Sequence, residues 1–325
     1  MTASAPAKAI LTGEHFVVYN EPAVVMAIDC YVHVTASERA DDAVHITSDL
    51  GVSGFYKKDR YNPERGGVEA EEILMPINIA ARTVLDELNE ETGLDLRVSS
   101  SIPVAAGLGS SGALAVATVA AVGKLLGANF SKDDLIELSF DAERFVHSNP
   151  SGIDQTISSN GGVILYKKGE EPIPLDVEVE IPVVIGNTGM PRRTGDLVKS
   201  VRGKLNDFPE VLRPIIHAGG KLSELAAEAL VHGDLKRLGE LMDINHGLLS
   251  AIGVSNKMLD ELVYAARGAG ALGAKLTGAG GGGCIIALST LEGRDRIANA
   301  IQRAGGTTII AKKTDAGVRV WANPA

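Results

Sequence analysis

The segment PVAAGLGSSG, residues 103–112, leads directly into an Ala/Val/Leu-rich run that extends to Leu126. Its glycines permit positive φ and a close approach of the backbone to a ligand, and its two serines stand where a helix is predicted to begin. A helix N-terminus offers unpaired N–H groups and the positive end of the helix dipole, so a phosphate group fits there. The alternative is a tight turn that ends in an ordinary N-cap. The segment contains neither the GxxxxGK[ST] pattern of a P-loop nor the dinucleotide-binding fingerprint.

On the N-terminal side of this segment, short apolar or β-branched runs alternate with turns. Strands are predicted at 9–18, 24–27, 31–37 and 94–101. Apolar residues at three- and four-residue spacing predict a helix over 69–91, which Pro76 should kink or restart. The polar stretch 49–67 is predicted to be a surface loop.

On the C-terminal side, an acidic helix start at Ser131 predicts a helix to about residue 147. Two prolines and many charges in 167–180 mark a predicted boundary between domains 1–175 and 176–325. The remaining predicted helices are 194–205, 209–231, 235–251, 255–269 and 291–303, and the remaining strands are 161–166, 181–186, 274–277, 284–288, 307–311 and 318–321. Together these patterns predict an α+β protein with a mixed or antiparallel sheet in each half.

The composition excludes several classes of protein. The 325 residues carry a net charge of −10 and are 45% hydrophobic, which argues against a general nucleic-acid binder and against long disorder. Residues 99–123 lack charge, but Pro103 and several glycines argue against a membrane-spanning helix. Residues 1–8 lack the pattern of a signal peptide. We therefore expect a soluble, cytoplasmic protein in which Cys30 and Cys284 are buried thiols.

Two carboxylates flank the turn-forming sequence HSNPSG, residues 147–152. Glu143 lies late in a predicted helix and Asp154 follows the turn, which can bring the two side chains to one site. One carboxylate could hold Mg²⁺ while the other accepts a hydroxyl proton, and phosphoryl transfer needs both tasks. From the spacing alone, a solvated helix carboxylate and an Asp that caps the next helix remain the alternative.

Two further segments attract attention. KLTGAGGGGC, residues 275–284, places four consecutive glycines after a predicted strand, and a backbone entropy cost of that size indicates close approach to a ligand or to another backbone. A flexible loop is the alternative. PAKAILTGEH, residues 6–15, contains Lys8 and a Gly-Glu-His triplet, which by themselves are compatible with a solvated charge and an edge turn.

In their order along the chain, these four segments resemble the motifs of the GHMP kinase superfamily and, within it, the mevalonate kinase family. PAKAILTGEHFVVYNEPAVVMAID resembles the first motif, PVAAGLGSSGALAVA the phosphate loop, HSNPSGIDQ the segment of the catalytic aspartate and KLTGAGGGGC the third motif. NTGMPRRTGDLV and MDINHGLLSAIGVSNKMLDEL agree as well. The resemblance extends from Pro6 to about Leu288. Each motif is weak alone, but the ordered set is specific.

The resemblance implies two α+β halves with an active-site cleft between them. It implies transfer of the γ-phosphate of ATP to the C5 hydroxyl of mevalonate, which gives 5-phosphomevalonate for isoprenoid biosynthesis. ATP and Mg²⁺ are the implied cofactors, mevalonate is the implied substrate, and a homodimer is the implied assembly. The chain length resembles that of archaeal members.

The resemblance also assigns roles to individual positions. Asp154 matches the catalytic aspartate and Lys8 the lysine that pairs with it, while Ser110 and Glu143 match magnesium and phosphate ligands. The implied triphosphate cradle comprises Pro103, Gly107, Leu108, Gly109, Ser110, Ser111 and Gly112. The implied acceptor wall comprises Glu14, His15, Thr277, Gly278 and Ala279.

The carboxylate of mevalonate calls for a cationic partner, for which a bidentate arginine is well suited. Arg192 and Arg193 are the candidates, and two solvated loop arginines are the alternative. Phe16 stands where the family often has a small residue, and we expect it to reshape the substrate pocket.

Two other functions remain open at this stage. One is a different GHMP kinase, which acts on phosphomevalonate, on the 3-hydroxyl of mevalonate or on a sugar. The other is a catalytically silent sensor on the same fold, which predicts loss of Lys8, Glu143 or Asp154. All three residues are present.

Overall fold

The computed structural model describes residues 1–57, 60–103, 107–146, 152–190 and 194–322. These ranges contain thirteen β-strands and nine α-helices. The strands are β1 (Thr2–Thr12), β2 (Ala23–Arg39), β3 (Val44–Ser48), β4 (Ser53–Lys57), β5 (Arg60–Arg65), β6 (Gly93–Ser100), β7 (Val163–Tyr166), β8 (Ile173–Leu175), β9 (Pro182–Asn187), β10 (Gly273–Thr277), β11 (Cys284–Leu288), β12 (Thr307–Lys312) and β13 (Arg319–Trp321). The helices are α1 (Glu71–Leu88), α2 (Ser110–Leu125), α3 (Lys132–Val146), α4 (Ile153–Asn160), α5 (Thr194–Asp207), α6 (Pro209–Val231), α7 (Leu235–Ala251), α8 (Lys257–Gly268) and α9 (Arg294–Arg303).

The strands form two sheets, so the predicted α+β class is confirmed. The first sheet has nine strands in the order β13-β1-β2-β6-β3-β4-β5, with β7 paired to β2 and β8 paired to β7. It is mixed, because β3 and β6 run parallel while the other pairs run antiparallel. The second sheet is antiparallel, with the order β10-β11-β9-β12.

Helix α2 lies in the core of the N-terminal half, where it contacts β1, β2, α1 and α3. Its alanines, valines and glycines are buried almost all round, which suits a helix enclosed by a sheet and two other helices. Small side chains let these elements approach closely. Within the described ranges, none of the helices combines the length and the apolar character needed to cross a membrane.

The end of the chain returns to the first sheet. β13 pairs with β1 in the register Thr2↔Trp321, whereas β8, at Ile173–Leu175, is the last preceding strand of that sheet. The strand that follows, β9, belongs to the second sheet. The boundary between the predicted domains 1–175 and 176–325 stays a prediction. Strand β13 belongs to the second predicted domain by sequence, but it lies in the first sheet.

Several predicted elements differ in the structure. The stretch predicted as a surface loop contains the hairpin β4–β5, in which the Tyr56 and Tyr61 rings lie 5.0 Å apart and stabilise the strand pair. Helix α1 runs unbroken through Pro76, whose side chain is buried. The strand predicted to reach Val18 ends at Thr12, and a 3-10 helix follows at Phe16–Tyr19.

The predicted strands 24–27 and 31–37 are one continuous strand, β2, and the sequence patterns did not predict β3, β8 and α4. The other predicted helices and strands are confirmed within a few residues. Helix α3 begins with the capping arrangement that its sequence indicates, because the backbone N–H of Ser131 donates to Asp134 and that of Asp134 donates to the Ser131 hydroxyl. Cys30 and Cys284 are buried thiols, as expected.

Candidate active site

An ion pair between Lys8 and Asp154 joins three elements of the N-terminal half. Lys8 Nζ, from β1, lies 3.0 Å from Asp154 Oδ1, in the first turn of α4, and the two side chains are 7% and 12% exposed. The backbone N–H of Lys8 donates to the Leu108 carbonyl at 2.8 Å. The pair therefore lies directly beside the glycine-rich segment that precedes α2.

The glycines of that segment allow it to lie against the ion pair. Gly107 and Gly109 have φ values of 82° and 71°, which glycine adopts without strain. A Cβ on Gly109 would lie 2.6 Å from Lys8 Cγ, and one on Gly112 would lie 2.6 Å from Asp154 Cβ. Larger residues would separate the helix start from the Lys8–Asp154 ion pair.

The start of α2 has the properties of an anion site. Its N-cap is Gly109, so the N-cap position supplies no side chain to satisfy the first N–H groups of the helix. Ser110 and Ser111 lie half-buried in the first turn. Pro103 lies at the start of the loop and is described, whereas residues 104–106 lie outside the described ranges.

Glu143, from α3, is a buried carboxylate close to the ion pair. Burial and the negative charge of Asp154 raise its pKa to about 8, while Lys8 opposes the shift. Within the described part of the chain, Glu143 Oε2 is buried and accepts no hydrogen bond. Mg²⁺ prefers oxygen ligands and is typically held by one or two carboxylates together with substrate phosphates. The orphaned oxygen therefore fits a magnesium ligand.

The glycine turn after β10 contacts β1 and the residues that follow it. His15 Nε2 donates to the Ala279 carbonyl at 2.8 Å, and the Thr277 hydroxyl donates to the Ile10 carbonyl at 3.3 Å. Burial lowers the pKa of His15, so the neutral imidazole is favoured. Gly278 lies between these two contacts with φ 78°.

The turn is packed rather than loose. A Cβ on Gly280 would lie 2.1 Å from the Val254 carbonyl oxygen, and the Gly281 N–H donates to the same oxygen at 2.8 Å. Close backbone approach thus explains the glycine run, and the flexible-loop alternative is excluded.

Glu14 points into the protein, where it meets two residues that the site prediction did not include. Lys275 Nζ donates to Glu14 Oε1, and Asn245 Nδ2 donates to Glu14 Oε2 at 2.9 Å. Burial lowers the pKa of Lys275, and the Glu14 carboxylate opposes that shift. Both partners lie in segments quoted for the resemblance, but nothing in their spacing indicated that they meet Glu14.

Phe16 faces the interior of the protein, and the expectation that it reshapes the substrate pocket stays a prediction. Its side chain is fully buried against α6, where a Cβ on Gly219 would lie 2.1 Å from the ring. The absence of a side chain at Gly219 provides the space that the ring fills. Arg192 and Arg193, the predicted carboxylate partners, lie outside the described residues.

Two family profiles match the chain. The GHMP kinases N terminal domain matches residues 76–162, and the GHMP kinases C terminal domain matches residues 226–307. The first match includes the phosphate loop and both carboxylates. The second includes α7, β10 and the glycine turn.

Curated relatives and solved structures agree with these matches. Mevalonate kinase from Pyrococcus horikoshii is 45% identical and covers 98% of this chain and 97% of its own length. Mevalonate kinase from Aeropyrum pernix is 34% identical over the same shares.

Among solved structures, L. major mevalonate kinase in complex with R-mevalonate has a TM-score of 0.84 and 27% identity, with 98% of this chain and 97% of that chain covered. Lactococcus lactis galactokinase complexed with galactose has a TM-score of 0.76 at 21% identity over 98% and 94%, which shows the fold alone. With both GHMP kinase domains matched and 45% identity along nearly its whole length, the chain belongs to the mevalonate kinase family of the GHMP kinase superfamily.

Proposed function

We propose that this chain transfers the γ-phosphoryl group of ATP to the C5 hydroxyl of mevalonate and that Lys8 and Asp154 act on that hydroxyl. ATP-dependent phosphorylation of mevalonate follows from membership of the family. The observation that carries the assignment of residues is the Lys8–Asp154 ion pair, which lies beside the glycine-rich start of α2.

Asp154 is suited to accept the hydroxyl proton. A primary alcohol is a poor nucleophile at neutral pH, and a carboxylate within hydrogen-bond reach contributes about 10²–10⁴-fold. The transition state of phosphoryl transfer is loose, so Asp154 also serves to orient the hydroxyl. Lys8 holds the carboxylate in place and offers positive charge to the oxygen that attacks.

The start of α2 and the preceding glycines would bind the triphosphate. Its N–H groups lie at the positive end of the helix dipole, and Ser110 and Ser111 add hydroxyl donors. The cradle of Gly107, Leu108, Gly109 and Gly112 keeps the backbone beside Lys8 and Asp154, so the γ-phosphate and the acceptor hydroxyl would meet there.

Glu143 and Ser110 are the proposed holders of Mg²⁺. When bound, the ion neutralises charge on the β- and γ-phosphates. Two carboxylates and one lysine are close together here, and burial together with the charge of Asp154 raises the pKa of Glu143. A divalent cation would relieve that repulsion, which is a reason to expect binding here.

His15, Thr277, Gly278 and Ala279 form the proposed acceptor wall. Their hydrogen bonds hold β1 and β10 together at the edge of the cleft. Arg192 and Arg193 remain the proposed partners of the mevalonate carboxylate. The family resemblance also supports domains 1–175 and 176–325 and a cytoplasmic location. It further supports a homodimer, and light scattering would test this oligomeric state.

A coupled ADP-release assay tests the function. The acceptors are mevalonate, phosphomevalonate, homoserine and galactose, with ATP and Mg²⁺, and ³¹P–¹³C coupling in the product identifies the phosphorylated carbon. We expect turnover with mevalonate alone and phosphate on C5. Phosphate on the 3-hydroxyl or turnover with another acceptor would contradict the proposed substrate. Folded, ATP-binding protein without turnover would favour the silent sensor.

A further inference from the structure

We propose that Lys275 and Asn245 are positioning residues of the acceptor site, which act by fixing Glu14 and the turn that carries His15. This inference rests on the proposed function, because it concerns the binding of the same acceptor. It also changes the role of Glu14 from a residue that touches the substrate to one that anchors the wall.

The side chain of Glu14 is directed into the interior of the protein. Its side chain is 1% exposed and that of Lys275 is 0% exposed. One carboxylate oxygen accepts from Lys275 and the other accepts from Asn245, which is also fully buried. Because both oxygens face donors inside the protein, the carboxylate serves the interior and not the cleft.

The Lys275–Glu14–Asn245 cluster joins three separate segments of the fold. Lys275 lies on β10 and Asn245 on α7, whereas Glu14 follows β1. Lys275 Nζ donates at 3.2 Å to the carbonyl of Ile10, two residues beyond Lys8 in the same strand. The cluster therefore ties the strand that carries the catalytic lysine to the strand that leads into the glycine turn.

His15 connects the cluster to the proposed acceptor site. His15 follows Glu14 directly, and its Nε2 donates to the carbonyl of Ala279 in the glycine turn. A shift of Glu14 would move His15 and this contact together. Small displacements of groups that position a substrate have large effects, since about 1 Å can cost about 10²-fold.

The charged character of the buried pair indicates a positioning role rather than a stabilising one. Burying an ion pair brings little net stability compared with apolar residues of the same volume, but removal of one partner leaves a buried charge without compensation. A link that only stabilised the fold could be apolar. The directional bonds from Lys275 and Asn245 fix the orientation of Glu14, which apolar packing would leave free.

The first experiment compares Asn245→Leu with Asn78→Leu. Both asparagines are buried in helices, but Asn78 lies on α1 in the N-terminal half. We expect Asn245→Leu to raise the calorimetric Kd and the KM for mevalonate at least tenfold, with the KM for ATP within twofold of wild type. We expect Asn78→Leu to leave both KM values unchanged. An unchanged Kd for mevalonate in Asn245→Leu would overturn the inference.

The second experiment separates positioning from stability. Lys275→Met leaves Glu14 without its countercharge, so the variant should unfold more readily. The double variant Lys275→Met/Glu14→Gln removes both charges, and we expect its Tm to recover while the Kd for mevalonate stays at least tenfold above wild type. Recovery of both Tm and Kd would show a merely structural pair and overturn the inference. Wild-type turnover tests the proposed function separately, because these comparisons use mevalonate binding.

Discussion

Lys8 Nζ lies 3.0 Å from Asp154 Oδ1, and this contact brings β1 and the first turn of α4 together at the start of α2. The side chains belong to residues far apart in the chain, so the contact depends on the whole N-terminal half. Gly109 and Gly112 border it so closely that a methyl group at either position would collide with the pair. The geometry of the Lys8–Asp154 ion pair is thus linked to the absence of side chains at Gly109 and Gly112.

Gly112→Ala tests this link. A Cβ there would lie 2.6 Å from Asp154 Cβ and 3.0 Å from its carbonyl carbon, so α4 or α2 must shift. We expect kcat to fall about 10²-fold, since the reacting groups would be misplaced. The control is Gly203→Ala on α5, where a Cβ meets nothing within 4 Å. The control should keep its kcat and gain up to about 1 kcal/mol in helix stability. Wild-type kcat in Gly112→Ala would refute the link.

The pKa of Glu143 predicts a pH-dependent affinity for Mg²⁺. With a pKa of about 8, the carboxyl is protonated in most molecules at neutral pH, and a metal ligand must lose its proton. We expect the affinity for Mg²⁺ to rise about tenfold per pH unit up to about pH 8, to level off above it, and to release a proton. Titration calorimetry with bound nucleotide, in buffers of different ionisation enthalpy, measures both effects.

The control for this prediction is Glu143→Gln. It keeps the shape of the side chain but has no proton to lose, so its Mg²⁺ affinity should be weak and nearly independent of pH in the same range. Equal pH dependence in the variant and the wild type would show that another group titrates.

We expect His246 to contribute to the loss of folding stability at acidic pH. Its Nδ1 accepts from the backbone N–H of Leu276 and its Nε2 donates to Asp260 at 3.1 Å, so the bonds require a neutral ring. Burial, followed by the charge of Arg267, lowers its pKa below the model-peptide value of 6.5. Below that pH the unfolded chain binds a proton that the folded chain does not, and stability falls as the pH drops towards the folded pKa.

The measurement is urea unfolding at several pH values between 7.5 and 5. We expect His246→Gln to lose less stability over this interval than the wild type, although its stability at pH 7.5 is lower because Gln cannot reproduce both bonds. His15, whose pKa is also lowered, keeps part of the acid dependence in the variant. The control is His232→Gln at an exposed position, which should retain the full wild-type dependence. An identical acid dependence in His246→Gln would contradict the prediction.

The sequence allowed most of the fold to be predicted because the relevant signals are local. The helices of the second half follow apolar periodicity, and α3 begins at a capping arrangement that can be read from Ser131 and Asp134. The hairpin β4–β5 escaped prediction because β5 is polar and exposed at the sheet edge, where the cross-strand contact of Tyr56 and Tyr61 stabilises the strand pair. Helix α4 was missed since glycine and proline signals precede it closely.

The site divides in the same way. Motifs indicated Lys8, Glu143 and Asp154, and their ordered arrangement led to the family. The Lys275–Glu14–Asn245 cluster was not predictable, because it joins three distant segments through side chains whose directions only the tertiary structure fixes. The burial of Phe16 against Gly219 is a similar case, since the required space is created by a residue on another helix.

Asp154, held by Lys8, is proposed to act on the acceptor hydroxyl during phosphoryl transfer. Asp154→Asn retains the shape of the side chain and removes its charge. Lys8 then loses its partner, but the loss of the Asp154 charge also removes one cause of the raised pKa of Glu143, so the Glu143 carboxylate can ionise and compensate Lys8. ATP and mevalonate should therefore still bind.

The most direct test is a rapid-quench single-turnover measurement of mevalonate phosphorylation with saturating enzyme and ATP·Mg²⁺. We expect Asp154→Asn to bind both substrates within about threefold of wild type and to transfer the phosphoryl group about 10²–10⁴-fold more slowly. Transfer at a rate within about tenfold of the wild type would contradict the assigned role of Asp154.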